Sequence, residues 1–193
     1  FKCACSRKLL NTDGACIAGC ESRQNFLSGN LSIRFNIEDI PRIETRDFIV
    51  DQKVIVNGSL PANFVVKRKD NLFSYQLAVV VDDAWQEITH VIRGSDLVES
   101  TPKQLMISSA LCLPIPEYGH IPVISDLSGR KLSKRTHAPS LNSNDARENL
   151  RTALALLGQP LPKNHFNRPV EILGSAAENW SRTNIAKSRF SQK

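Results

Sequence analysis

Apolar and polar residues alternate in short runs through the first third of the chain. "LSIRFNI" at 31–37 and "DFIVDQKVIVNG" at 47–58 step between the two at a period of two, the pattern of half-buried strands. Lys69-Asp70-Asn71 is a turn signal. The next stretch, "LFSYQLAVVVDDAW", reads both ways: Val79 to Val81 favour a strand, while Leu77, Val80 and Val81 fit one helical face. Taken alone, these residues lean towards the strand. "EITHVIRG" is a clearer strand, closed by Gly94. Thr101-Pro102 then opens a helix, with proline in the first turn, where its missing N–H costs nothing. Leu105, Ile107, Ala110 and Leu111 are its expected apolar face, and Cys112, in an apolar run, reads as a small core residue.

After Ala138-Pro139 the period becomes helical. Asp145 and Glu148 have capping-box spacing, and Leu150, Ala153, Leu154 and Leu157 recur on one face before Gly158 stops the helix. A second short helix is expected from about Pro169 past Leu173, and the last dozen residues, polar and basic, are expected to fray.

Charge changes this picture in one respect. Residues 1–128 hold 13 Lys/Arg against 15 Asp/Glu, whereas residues 129–193 hold 12 against 4. A near-neutral body followed by a basic third suits a polyanion such as nucleic acid, or else a solvated basic surface. No apolar run approaches the roughly 18 residues of a membrane helix. The chain opens on Phe1 and its one methionine is Met106, which reads as a piece of a longer protein.

Four of the five cysteines fall in the first 20 residues: Cys3, Cys5, Cys16 and Cys20, spaced C-x-C, ten residues, C-x3-C. Two close pairs joined by a short loop can put four sulfurs around one tetrahedral zinc. Two disulfides are the alternative, in an oxidising compartment. A closed four-thiolate site is structural, because no position is left for a catalytic water.

Arg93 ends an apolar strand and precedes Gly94, which permits close backbone approach. An arginine there suits bidentate recognition of a carboxylate or phosphate, or an internal pair with an aspartate. His120 reads as a structural histidine, and Asp82-Asp83, which point apart, as no metal site. In "GRKLSKRTHAP", 129–139, Lys131, Ser133 and Lys134 form a basic loop that can close over a polyphosphate, or simply a solvated loop.

Together these stretches resemble one family. "GRKLSKR" resembles the K-M-S-K-S signature of class I aminoacyl-tRNA synthetases, with Leu132 for Met and Arg135 for the last Ser. "SYQLAVVVDD" and "ITHVIRGSDLVESTPKQL" resemble, in order and spacing, the matching blocks of the glutamyl- and glutaminyl-type enzymes. The C-x-C and C-x3-C pairs resemble the zinc-binding insertion of glutamyl-Q tRNA(Asp) synthetases, truncated paralogues of glutamyl-tRNA synthetase. Only 58 residues follow Arg135, too few for the large anticodon-binding domain of a full glutamyl-tRNA synthetase.

The resemblance implies ATP-dependent activation of glutamate and its transfer to the queuosine base in the anticodon of tRNA(Asp). Tyr75 and Arg93 would hold glutamate, and Lys134 would contact ATP, with Mg2+, within a signature that includes Lys131 and Ser133. Cys3, Cys5, Cys16 and Cys20 would hold one zinc; Cys16 stands where the family often has tyrosine. "YQLAVVVDD" would be a helix. The implied fold is α/β: part of a zinc-binding insertion at 1–35, the second half of a Rossmann-like catalytic domain at 36–138, and a helical, basic, tRNA-contacting tail at 139–193.

One family feature is missing. The histidines are His90, His120, His137 and His165, and none makes the His-x-Gly-His-like signature that packs on ATP. The expectation is therefore the C-terminal portion of a cytoplasmic enzyme, monomeric when complete. The rivals are a non-catalytic, zinc-bearing tRNA-binding remnant and a fragment of a glutamyl-tRNA synthetase.

Overall fold

The computed structural model describes residues 1–193 except 13, 17, 38–39, 51–52, 57–61, 127–129, 133–139, 163–167 and 188–193. The chain forms two compact units: 1–46, 53–91 and 99–117 make the first, and 47–52, 92–98 and 118–193 the second. Among the described residues no helix is long and apolar enough to cross a membrane.

In the first unit, β1 (Lys2–Cys3), β2 (Ser32–Phe35) and β5 (Phe64–Lys67) form an antiparallel sheet in the order β1-β2-β5. β3 (Ile43–Arg46) and β4 (Lys53–Val56) pair antiparallel, Ile43 opposite Val56 and Arg46 opposite Lys53. The expected turn after β5 is present: Asn71 takes a φ of 67°, and Asp70 accepts from the Leu72 N–H at 3.2 Å.

The ambiguous stretch is a helix, α1 (Tyr75–Trp85). The strand reading fails because Ser74 caps the first turn, accepting from the Leu77 N–H at 3.4 Å, and because burial follows a helical period. The less exposed positions recur in pairs at Gln76 and Leu77, Val79 and Val80, and Asp83 and Ala84, while Val81 is exposed. Helix α2 (Thr101–Ala110) has proline in its first turn, as expected. Its buried residues are Thr101 and the run Gln104–Ser108, so Leu105 and Ile107 face the core while Ala110 and Leu111 do not. Buried Gln104 donates to Gln76 of α1 at 2.9 Å, and Gln76 donates to Ser100 at 3.0 Å.

Cys112 is exposed rather than core. It occupies the left-handed position just past α2, with a φ of 52°, while the Leu113 N–H returns to the Ser108 carbonyl at 2.9 Å. This Schellman ending satisfies carbonyls that the helix leaves over.

β6 (His90–Gly94) and β7 (Glu117–Ile121) pair with each other and carry Ile92–Gly94 and Tyr118–Ile121 into the second unit. There residues 48–50, expected as strand, form a turn instead, while β4 bears out the strand expected further along the same stretch. The Asp47 carboxylate captures the N–H groups of Ile49 and Val50, both at 2.9 Å, and so outcompetes a ladder. Helix α3 (Ala146–Leu156) packs on α4 (Pro169–Glu178) through Leu150, Leu154, Ile172 and Ala176. Gly158 ends α3 with a φ of 67°, as its position suggested. The Asp145 side chain makes no capping bond; Asn142 instead accepts from the Asn144 N–H in the short turn before α3. Arg182–Lys187, expected to fray, forms helix α5, with Ile185 buried.

Candidate functional site

In the first unit, Cys3, Cys5, Cys16 and Cys20 converge: their four Sγ atoms all lie within 4.8 Å of one another. Cys5 Sγ is 3.4 Å from Cys16 Sγ and 3.7 Å from Cys20 Sγ. Four thiolates bonded to a tetrahedral zinc at about 2.3 Å would sit about 3.8 Å apart, so the observed set fits such an ion with small adjustments. Three of the sulfur-bearing residues are buried, and Phe1, Leu10, Ala18 and Leu27 pack around them.

The cluster is clasped from outside. Lys2 N–H donates to Gln24 Oε1 at 2.7 Å, while Gln24 Nε2 donates to the Lys2 and Cys20 carbonyls. Burial pushes the Cys5 thiol up to about 12. Burial acts the same way on Cys16, but bonds from the Cys20 backbone, the Cys5 and Cys20 side chains and the Ala18 backbone outweigh it, bringing Cys16 down to about 7. Backbone N–H groups aimed at a sulfur favour the thiolate, which is the form that binds metal.

The second unit holds a different constellation. Arg93, near the end of β6, donates from Nε to His120 Nε2 at 3.0 Å. His120 Nδ1 bonds Asp47 Oδ2, and both residues are nearly sealed, at 2% and 3% exposure. The Arg93 guanidinium also lies over the Tyr118 ring, 4.8 Å from its centre. Arg93 thus bonds a histidine, with an aspartate one step behind it. Asp47 and Gly119 carried no signal of their own in the sequence. A Cβ on Gly119 would come within 2.6 Å of the Phe48 ring and 2.9 Å of Ile49, so a larger residue at this strand position would have to push those side chains aside. A Cβ on Gly94 would meet Asp96 Oδ1 at 2.5 Å, so a larger residue after Arg93 would displace that carboxylate.

Lys131, the first basic residue of the expected signature, lies in the same unit. Its Nζ is 2.6 Å from Asp96 Oδ2, and the backbone around it is paired back on Ile124–Asp126. Ser133 and Lys134 lie outside the described residues. Tyr75 opens α1 in the first unit, half exposed at 50%, while Arg93 belongs to the second; each is placed within its own unit.

The hydrogen bond from Lys131 holds the Asp96 carboxyl below the usual carboxylate range. A depressed acid stabilises the fold above its ordinary range, and that gain is lost as pH falls through the folded value. Both groups are well exposed, so Asp96→Asn is expected to cost no more than about 1 kcal/mol in denaturant titrations at neutral pH. The difference from wild type should vanish in strong acid, where the native carboxyl is protonated too.

Comparison with known proteins gives a consistent picture. A family model described as "tRNA synthetases class I (E and Q), catalytic domain" matches residues 7–186. A glutamyl-Q tRNA(Asp) synthetase of Thiobacillus denitrificans is 44% identical over 138 residues, 67% of this chain and 46% of that protein. The protein of that name from Pseudomonas syringae pv. syringae is 36% identical over 192 residues, 98% of this chain and 64% of its own length. That of Methylococcus capsulatus is 39% identical over 188 residues, 93% of this chain and 60% of its own. The chain thus spans about half to two thirds of these relatives. A crystal structure of glutamate-tRNA synthetase from Elizabethkingia anophelis superposes with a TM-score of 0.61 at 22% identity, covering 90% of this chain and 38% of that one. At that identity the likeness speaks for the fold.

Proposed function

The chain belongs to the class I tRNA synthetases of glutamate and glutamine type and carries their catalytic-domain fold, and from that premise we propose that it is part of a ligase that activates glutamate with ATP and passes it to the queuosine base of tRNA(Asp). Adenylation brings a carboxylate against the α-phosphorus of ATP and expels pyrophosphate. That requires a cation for the amino acid and cations for the phosphates close together. One observation carries the proposal: Lys131 pairs with Asp96, three residues beyond Arg93, within one unit. The start of the basic signature is therefore tethered to the strand end that bears the carboxylate-binding candidate.

In this reading Arg93 and Tyr75 hold glutamate. Lys131, Ser133 and Lys134 serve the phosphates, with Lys134 on ATP and Mg2+ accompanying the nucleotide. Lysine ammonium groups neutralise charge that builds on the departing pyrophosphate. The glutamyl-Q tRNA(Asp) synthetase names of the similar proteins support glutamate as substrate and tRNA(Asp) as acceptor. The excess of basic residues over 129–193 suits contact with the tRNA backbone. The cysteine cluster would hold one structural zinc, and a cytoplasmic setting would keep its thiols reduced.

Glutamate-dependent ATP–pyrophosphate exchange tests this. Exchange is expected from the product of the gene's complete reading frame, with little or none from residues 1–193 alone, since these contain no His-x-Gly-His-like signature. No exchange from either protein, with both folded and binding tRNA, would favour a non-catalytic tRNA-binding module.

A further inference from the structure

The Asp47–His120–Arg93 chain can be read in only one direction. A guanidinium Nε–H is always a donor, so His120 Nε2, 3.0 Å away, accepts and bears no proton. The ring proton is then on Nδ1 and is donated to Asp47 Oδ2. Asp47 is itself fixed. Its Oδ1 takes the N–H groups of Ile49 and Val50, and its Oδ2 also takes the His120 backbone N–H at 3.1 Å. Phe48 N–H staples the same turn to the Tyr118 carbonyl at 3.0 Å. The Tyr118 ring, nearly parallel to that of His120, supports the guanidinium from its face.

We infer that His120, anchored by Asp47, is a positioning residue for Arg93. His120 Nε2 takes the Nε–H and so fixes the plane and rotation of the guanidinium before substrate arrives, which spares ordering entropy on binding. The inference rests on the proposed role of Arg93 as the glutamate carboxylate partner.

Two side chains separate positioning from simple packing. His120→Asn keeps a donor near Nδ1 for Asp47 but offers Arg93 no acceptor. His120→Gln can return an oxygen near the Nε2 position. In the product of the complete reading frame, His120→Asn is expected to raise the glutamate KM in pyrophosphate exchange by about 10- to 100-fold, the weight of one hydrogen bond to a charged group. The ATP KM and kcat should stay within about threefold, and His120→Gln should recover most of the loss. An unchanged glutamate KM in both variants, or equal loss of kcat in both without a KM effect, would overturn the inference. Arg93→Ala run alongside separates the two levels. An unchanged glutamate KM there sinks the carboxylate reading itself, whereas a raised KM there with none in His120→Asn sinks only the positioning. Nitrogen-15 NMR of residues 1–193 gives a readout independent of activity and of variant folding. The Nδ1–H tautomer of His120 is expected, and an Nε2–H ring would refute the inference.

Discussion

Arg93→Ala is expected to lower kcat/KM for glutamate about a thousandfold in the product of the complete reading frame. Truncating one partner of a desolvated charge pair costs about 2–5 kcal/mol, and each 1.4 kcal/mol is a factor of ten. The reacting carboxylate must keep electron density for its attack on phosphorus. A guanidinium clamp therefore suits the other carboxylate of glutamate, the one that glutamine lacks. The loss should fall mainly in the glutamate KM, and preference over glutamine should shrink with it. Arg93→Lys should recover only part. An ammonium keeps the charge but offers neither the Nε bond to His120 nor a planar fork. Steady-state pyrophosphate exchange with both amino acids checks this. Glutamate kinetics within threefold of wild type in Arg93→Ala would remove the arginine from the pocket. The same variant should leave Asp47–His120 intact, so a large fall in melting temperature would show that the chain serves the fold first.

What could be read in the sequence follows from how local each signal is. The four cysteines announce their cluster by spacing alone, because a short loop constrains where the pairs can meet. The proline at α2 and the glycine after α3 mark helix ends through backbone restrictions that no partner is needed to reveal. The same kind of ending is hidden elsewhere. α1 and α2 also close through left-handed residues, but these are Glu87 and Cys112, so the usual glycine flag is missing. Cys112 then looks like core when it is a solvent-facing turn. The run Val79–Val81 misleads for a related reason: β-branching is a weak local preference, and a cap at Ser74 with packing against α2 overrides it. The least legible feature is the contact of Asp47 with His120, 73 residues apart. Arg93 could be singled out because an arginine ending an apolar strand is odd. Nothing near Asp47 or His120 in the chain tells that they complete its setting.

The cysteine cluster carries the other large expectation: about one zinc per chain by elemental analysis, and collapse of its surroundings when the metal is removed. Structural zinc contributes folding free energy outright, and here Cys3, Cys5 and Cys20 are themselves the buried residues against which Phe1, Leu10, Ala18 and Leu27 pack. A chelator should therefore release the metal and expose the region of residues 1–35 to proteolysis. Thiol titration without reductant discriminates between metal and disulfides. One thiol, the exposed Cys112, should react at once, and four more only after chelation. Two disulfides would leave those four silent throughout. Cys5→Ser should release the metal as fully as the chelator does, because it removes the sulfur that lies against both Cys16 and Cys20. Cys112→Ser should change nothing. Acid should act like the chelator: ligation needs thiolates, so affinity falls as pH falls and protons compete for the sulfurs. Cys5, at about 12 without metal, depends most on the ion for its deprotonation, whereas Cys16, at about 7, is ready near neutrality. A metal-free chain with an intact, protease-resistant first unit would show that burial alone holds these four cysteines together.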